Sequence, residues 1–193
     1  TRRSSDLKGK HKMSMLMNYV RIGIGTFITL IPIAIIIFVI CYGVKYLFYF
    51  LSKRKLIVHI PIALCEFLWI LTILAILKIT GIIGGNFGTT SLLSDTAVLD
   101  FSLFGEGLSM AIILNIILFM PFGFFIPLIF KQLKNKWFYG ILFGFSFSLI
   151  IELLQTFTGR FVQVDDILMN TLGTFIGYAL SLLLGKRKQQ SKT

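Results

Sequence analysis

The sequence predicts an all-α, polytopic membrane protein of about five transmembrane helices, the last four forming a compact bundle. Three observations carry this. Apolar runs of roughly 20 residues, the length needed to cross a bilayer, recur five times. Mean hydropathy is +0.87, and only 14% of the 193 residues are charged while 56% are hydrophobic. A soluble domain of this size could not cover so much apolar surface. Finally, the net charge of +11 is concentrated at the chain ends and in short connectors, where orientation signals of membrane proteins belong. The basic residues form no contiguous face with interleaved aromatics, which excludes a nucleic-acid surface.

Residues 1–21 form a basic tail with Arg2, Arg3, Lys8, Lys10, Lys12 and Arg21 against a single acid, Asp6. The tail reads as disordered or lying on a membrane surface. Thr1 is not an initiating residue, and Met13, Met15 and Met17 are alternative starts. The apolar run that follows is too long for a signal peptide and lacks a small-residue cleavage site. The first span covers about Ile22–Val44, with Pro32 as a kink point. Its aromatic continuation to Phe50 is expected to leave along the interface, so 22–50 is one extra N-terminal membrane segment. The second span covers about Leu56–Leu77 and holds Glu66, an acid expected to be protonated or paired inside the bundle.

Residues 78–107 are the one long connector, broken by Gly81, Gly84, Gly85 and Gly88. The third span, about Leu108–Phe130, contains Asn115 and the run FMPFGFFIP. Its two prolines free backbone carbonyls that need partners from neighbouring helices. The connector KQLKNK leads to the fourth span, about Trp137–Gln155. The fifth covers about Asp166–Leu184, and residues 185–193 form a basic C-terminal tail. Domain boundaries follow: the tail 1–21, the segment 22–50, a four-helix domain 56–184 and the tail 185–193.

Orientation is a binary choice. With the C-terminus in the cytoplasm, eleven basic residues lie inside and eight outside, and six of those eight belong to the N-terminal tail. This assignment puts connectors 78–107 and 156–165 outside. The first segment either spans or enters and returns.

The stretch Glu152–Gly177 carries most of the polar side chains at membrane depth. A charged group at a helix centre costs roughly 2.5–3.5 kcal/mol, so such groups pair or mark a site. Glu152 and Gln155 end the fourth span, Arg160 lies in the connector, Asp165 and Asp166 open the fifth span, and Asn170 follows one turn later. Gly140, Gly144, Ser148 and Glu152 share one face of the fourth helix, while Asp166, Asn170, Gly173, Gly177 and Ser181 share one face of the fifth. Small residues allow close approach of membrane helices. The pattern predicts that these two faces meet, bringing Glu152 and Gln155 beside Asp166 and Asn170. It also predicts that Arg160 contacts Asp165 or Asp166. At about 1.5 Å per residue, Glu152 lies about 22 Å from Trp137 and Asn115 about 10 Å from Leu108. All these groups therefore converge in the outer half of the bilayer.

Two readings of the cluster stand. In one it is structural: Arg160 neutralises an aspartate, Asp165 or Asp166 caps the fifth helix, and Asn115, Gln155 and Asn170 link helices. In the other it is a ligand pocket facing the outer leaflet. Cys41 and Cys65 read as buried hydrophobes; His11 and His59 have no partner at ligand spacing, so neither a metal nor a cofactor is expected.

In order and combination, Asn115 followed by PFGFFIP, then IELLQ, Arg160, the Asp165–Asp166 pair, Asn170 and the Gly173–Gly177 pair resemble the VanZ-like family of bacterial membrane proteins. The resemblance covers about residues 58–184. It implies a non-enzymatic envelope factor, or a factor in resistance to glycopeptides such as teicoplanin, whose partners beyond the bilayer are a lipid-linked wall precursor or the lipoglycopeptide itself. The alternative is a membrane-embedded enzyme acting on a lipid-linked substrate, with Glu152 or Asp166 as acid or base and Arg160 on a phosphate. Against it, the cluster has no strong nucleophile, histidine or phosphate loop. A transporter is the weakest reading, since only Glu66 sits near the midplane.

Overall fold

A computed structural model describes residues 2–85, 99–100, 110–134, 136–158 and 162–190. The architecture is all-helical apart from one pair of two-residue strands. Five helices, α1 (Arg2–Leu51), α2 (Ile60–Ile79), α3 (Met110–Ile129), α4 (Phe138–Thr156) and α5 (Val164–Gln190), are each long and apolar enough to cross a membrane. A single 3-10 turn, Lys131–Leu133, joins α3 to α4.

α1 departs most from expectation. It runs unbroken for 50 residues, through Pro32 and the aromatic segment to Leu51. The basic tail therefore continues the same helix, because nothing from Arg2 to Arg21 stops it: the segment has no proline and one glycine. At about 1.5 Å per residue the helix is about 75 Å long, more than twice the hydrocarbon thickness.

α2 begins with Pro61 in its first turn, where a missing N–H costs nothing. It ends where Thr80 turns its hydroxyl back to the Ile76 carbonyl at 2.8 Å and Gly81 adopts φ +82°, the left-handed conformation that closes helices. α1 packs along α2 through Leu30 and Ala34 against Leu71, Leu74 and Ala75.

The main core joins α2 to α5. Phe119, Phe122, Ile126, Ile151, Tyr178 and Ile76 are buried together, with Trp69, Phe143 and Phe147 around them. Phe122 stacks on Phe147 at 4.5 Å and on Trp69 at 5.5 Å. The Trp69 indole also donates to the Phe122 carbonyl at 3.1 Å. The bond ties α2 to α3, although the carbonyls that Pro121 and Pro127 free are those of Ile117 and Gly123, four residues before each.

The tightest seam lies between α3 and α5. A Cβ on Gly177 would stand 1.9 Å from the Met120 carbonyl oxygen, one on Gly173 2.4 Å from that of Ile116, and one on Gly123 1.9 Å from that of Thr174. Backbone meets backbone there, and no side chain fits between. The glycines of α4 do face α5, Gly140 against Tyr178 and Gly144 against Thr174 and Thr171. The glycines of α5, however, face α3 rather than α4. A small-residue stripe reports a close approach but not the helix that makes it.

Candidate functional site

Alternating helix directions bring four helix ends to one end of the bundle: the last turns of α2 and α4 and the first turns of α3 and α5. The connectors that follow α2 and α4 meet there too. Strand β1 (Leu99–Asp100) pairs in parallel with β2 (Val162–Gln163), Leu99 opposite Val162 and Asp100 opposite Gln163.

Two buried side chains of α4 hold this end together. Glu152, 2% exposed, accepts the backbone N–H of Gln163 through Oε2 at 3.0 Å. It thereby anchors β2, and through β2 the pairing with β1. Gln155, 4% exposed, donates from Nε2 to the Thr80 carbonyl at 2.8 Å, tying the end of α2 to the end of α4. Each side chain satisfies a backbone group just beyond a helix end, the N–H of Gln163 in β2 and the carbonyl of Thr80 at the C-cap of α2, where an unpaired peptide group out of water is costly.

Asp165 and Asp166 occupy the first turn of α5, where the helix dipole favours an acid. The Asn115 amide of α3 donates to Asp166 Oδ1 at 2.6 Å, a charge-assisted bond across the close α3–α5 seam. Asn170 lies one turn deeper, 3% exposed, and donates from Nδ2 to the Ser148 hydroxyl of α4 at 2.9 Å. Its carbonyl oxygen, Oδ1, is buried and has no hydrogen-bond partner among the described residues. The Thr174 hydroxyl, one turn further, returns to the Asn170 main-chain carbonyl at 2.9 Å and leaves that side-chain oxygen alone.

Six of the seven predicted site residues thus lie at one end of the bundle, on three helices. Arg160 and its expected ion pair lie outside the described residues. The expected convergence of Gln155 and Asn170 on the acids is corrected in one respect: their amide N–H groups go to Thr80 and Ser148. The face of α5 is split as well. Asp166, Gly173 and Gly177 turn to α3, while Asn170, Thr171 and Tyr178 turn to α4. Sequence reasoning missed Thr80 and Gln163. Both act through main-chain groups, which no residue type announces. It also missed Lys78, whose ammonium lies against the loop at Gly84, 2.9 Å from where a Cβ would stand, and brings a cation to this end.

At the opposite end Glu66 is paired, the second of its two expected states. The Lys45 ammonium lies 2.7 Å from Oε1, and the Tyr42 hydroxyl donates to Oε2 at 2.8 Å. Glu66 sits in the first third of α2 rather than at its middle, level with the last two turns of α1. No group of three or more His, Cys, Asp or Glu side chains among the described residues is arranged to hold a metal ion.

No curated protein and no solved structure matches the chain. A family model described as VanZ/LLP1 does match, over residues 5–185, which takes in α1 as well as the four later helices. With five helices fit to cross a bilayer and a match over nearly its whole length, the chain is a multi-pass membrane protein that belongs to the VanZ/LLP1 family.

Proposed function

We propose that the protein is a non-enzymatic envelope or glycopeptide-resistance factor whose polar end faces the outer leaflet, with its C-terminus in the cytoplasm. Family membership supports a resistance-type membrane protein in general terms. Orientation rests on the positive-inside rule: the Lys53–Lys55 and Lys131–Lys136 connectors and the Lys186–Lys188 segment all fall at the end opposite the polar cluster.

The observation that carries the pocket reading is Asn170 Oδ1. A buried acceptor without a donor costs about 1–3 kcal/mol, and native proteins rarely retain one without a use. Beside it stands Ser148 of α4, and one turn above, on the α3 side of α5, lies the Asn115–Asp166 pair. Acids and a spare acceptor favour a ligand rich in donors, with hydroxyl, amide N–H or ammonium groups. The sugar–peptide part of a lipid-linked wall precursor offers these, and so does a lipoglycopeptide such as teicoplanin. Glu152 then positions the connector above the pocket rather than touching the ligand.

Expression in a susceptible Gram-positive host tests this. The wild-type chain is expected to raise the teicoplanin concentration that stops growth. Asp166→Asn and Asn170→Leu should abolish the increase while the protein still accumulates in the membrane. Graded losses in binding, on the order of 1–3 kcal/mol per bond to a charged group, are expected of a pocket. An acid–base catalyst would lose roughly a hundredfold in rate or more. Turnover of a lipid-linked substrate by the pure protein would refute the non-enzymatic reading.

A further inference from the structure

At the basic end, a recess of about 240 Å³ opens between the last turn of α3 with the turn that follows it and the Ser181–Gly185 stretch of α5. Pro127, Leu128 and Leu182 help make its lining mainly apolar, and Lys131, Lys134 and Ser181 are the residues that bring polar groups to it. No carboxylate is among its described lining residues. The Lys131–Leu133 turn that carries the first of these lysines is pinned to α5, because the buried Tyr178 hydroxyl donates to the Leu133 carbonyl and approaches that of Lys136 at 3.1 Å. The Lys134 ammonium reaches over Gly185, 3.8 Å from where a Cβ would stand.

Ser181 is the second, independent observation. It is 4% exposed, and its hydroxyl has no hydrogen-bond partner among the described residues. Thr171 and Thr174 on the same helix spend their hydroxyls on carbonyls four residues back, at 2.7 and 2.9 Å. That is the usual resting place for a helical hydroxyl in an apolar setting, and Ser181 does not take it.

We propose that this recess binds the phosphodiester headgroup of an anionic phospholipid. The two ammonium groups take the phosphate charge, the Ser181 hydroxyl donates to a phosphate oxygen, and the proline–leucine wall meets the start of an acyl chain. Basic recesses between membrane helices near the headgroup level are suited to such lipids. Two cations with no carboxylate among the described lining residues discriminate against zwitterionic headgroups, whose own cation would be repelled.

The test uses the full chain, delipidated in detergent and titrated with phosphatidylglycerol, phosphatidylcholine or inorganic phosphate, with bound molecules counted by native mass spectrometry. Phosphatidylglycerol is expected to be retained in preference to phosphatidylcholine. The Lys131→Gln/Lys134→Gln double variant should bind it about 25-fold more weakly, at about fivefold per lysine near the membrane surface. Ser181→Ala, which leaves the charge unchanged, should weaken it about tenfold, the scale of a hydrogen bond to a charged group. A control, Lys53→Gln/Lys55→Gln, removes two exposed lysines from the other connector at this end and should leave binding unchanged. Equal retention of the two lipids would overturn the proposal, as would an equal loss in the control. Binding of inorganic phosphate with the same dependence on Lys131 and Lys134, and no lipid retained, would overturn the lipid assignment.

Discussion

The two ends of the bundle solve the problem of charge at a membrane differently. At one end the polar side chains are buried or half-buried and committed to the protein: Glu152 to a strand N–H, Gln155 to a helix-terminal carbonyl, Asn115 to Asp166. At the other the cations stay at the surface. Lys53, Lys55, Lys131 and Lys134 are exposed, and Lys45 remains 43% exposed even in its ion pair with Glu66. The buried acids and amides hold irregular backbone at bundle depth, so their loss has structural consequences. The exposed lysines meet water and lipid headgroups, so their loss should be felt in orientation and lipid contact. The contrast separates residues whose chemistry is already spent, such as Gln155, from those with capacity left, such as Asn170 and Ser181.

Substitutions can break this contrast in a definite order. The largest effect is expected at the α3–α5 seam, which ties the two ends together. Gly177→Val places a branched side chain where a Cβ would already stand 1.9 Å from the Met120 carbonyl. It should destabilise by at least about 3 kcal/mol, the upper range for overpacking, measured as unfolding free energy in mixed micelles. Next comes Glu152→Ala, which leaves the Gln163 N–H without its acceptor at the buried end. The expected cost is about 1.5–3 kcal/mol, with Glu152→Gln restoring most of it because the amide oxygen still accepts. Equal losses for the two variants would show that charge, not the bond to β2, is what Glu152 supplies. The smallest effect belongs to the basic end. Lys45→Met should cost about 1 kcal/mol or less, since a half-exposed pair is weak and Tyr42 still donates to Glu66. A loss as large as that of Glu152→Ala would erase the distinction between the ends.

Much of the fold was legible in the sequence. The ends of α2, α3 and α4 and the start of α5 fall within four residues of where hydropathy puts them, because a 30 Å apolar layer leaves little freedom in span length, while α5 runs six residues past Leu184. The extent of α1 was not legible, since polar helix and polar coil share a composition. For the candidate site, polar residues at the ends of apolar runs marked six side chains that the fold gathers at one end of the bundle. Their partners were another matter. Asp166, Asn170, Gly173 and Gly177 fit one helical face by spacing, yet a helix packed between two neighbours uses two faces. Nothing in the spacing says that Asn170 looks to Ser148 and Gly177 to Met120. Thr80 and Gln163 join the cluster through main-chain groups, which only the packed chain reveals.

The proposed pocket requires that the polar end face outward, and accessibility to a membrane-impermeant thiol reagent tests this on intact cells. With Cys41 and Cys65 replaced by alanine, single cysteines are placed at Gln163, exposed at the polar end, and at Gln132, exposed at the basic end. Gln163→Cys is expected to be labelled on intact cells, and Gln132→Cys only after the cells are opened. Labelling of Gln132→Cys on intact cells, with Gln163→Cys protected until lysis, would turn the cluster to the cytoplasm and contradict a site for extracellular glycopeptides or outer-leaflet wall precursors.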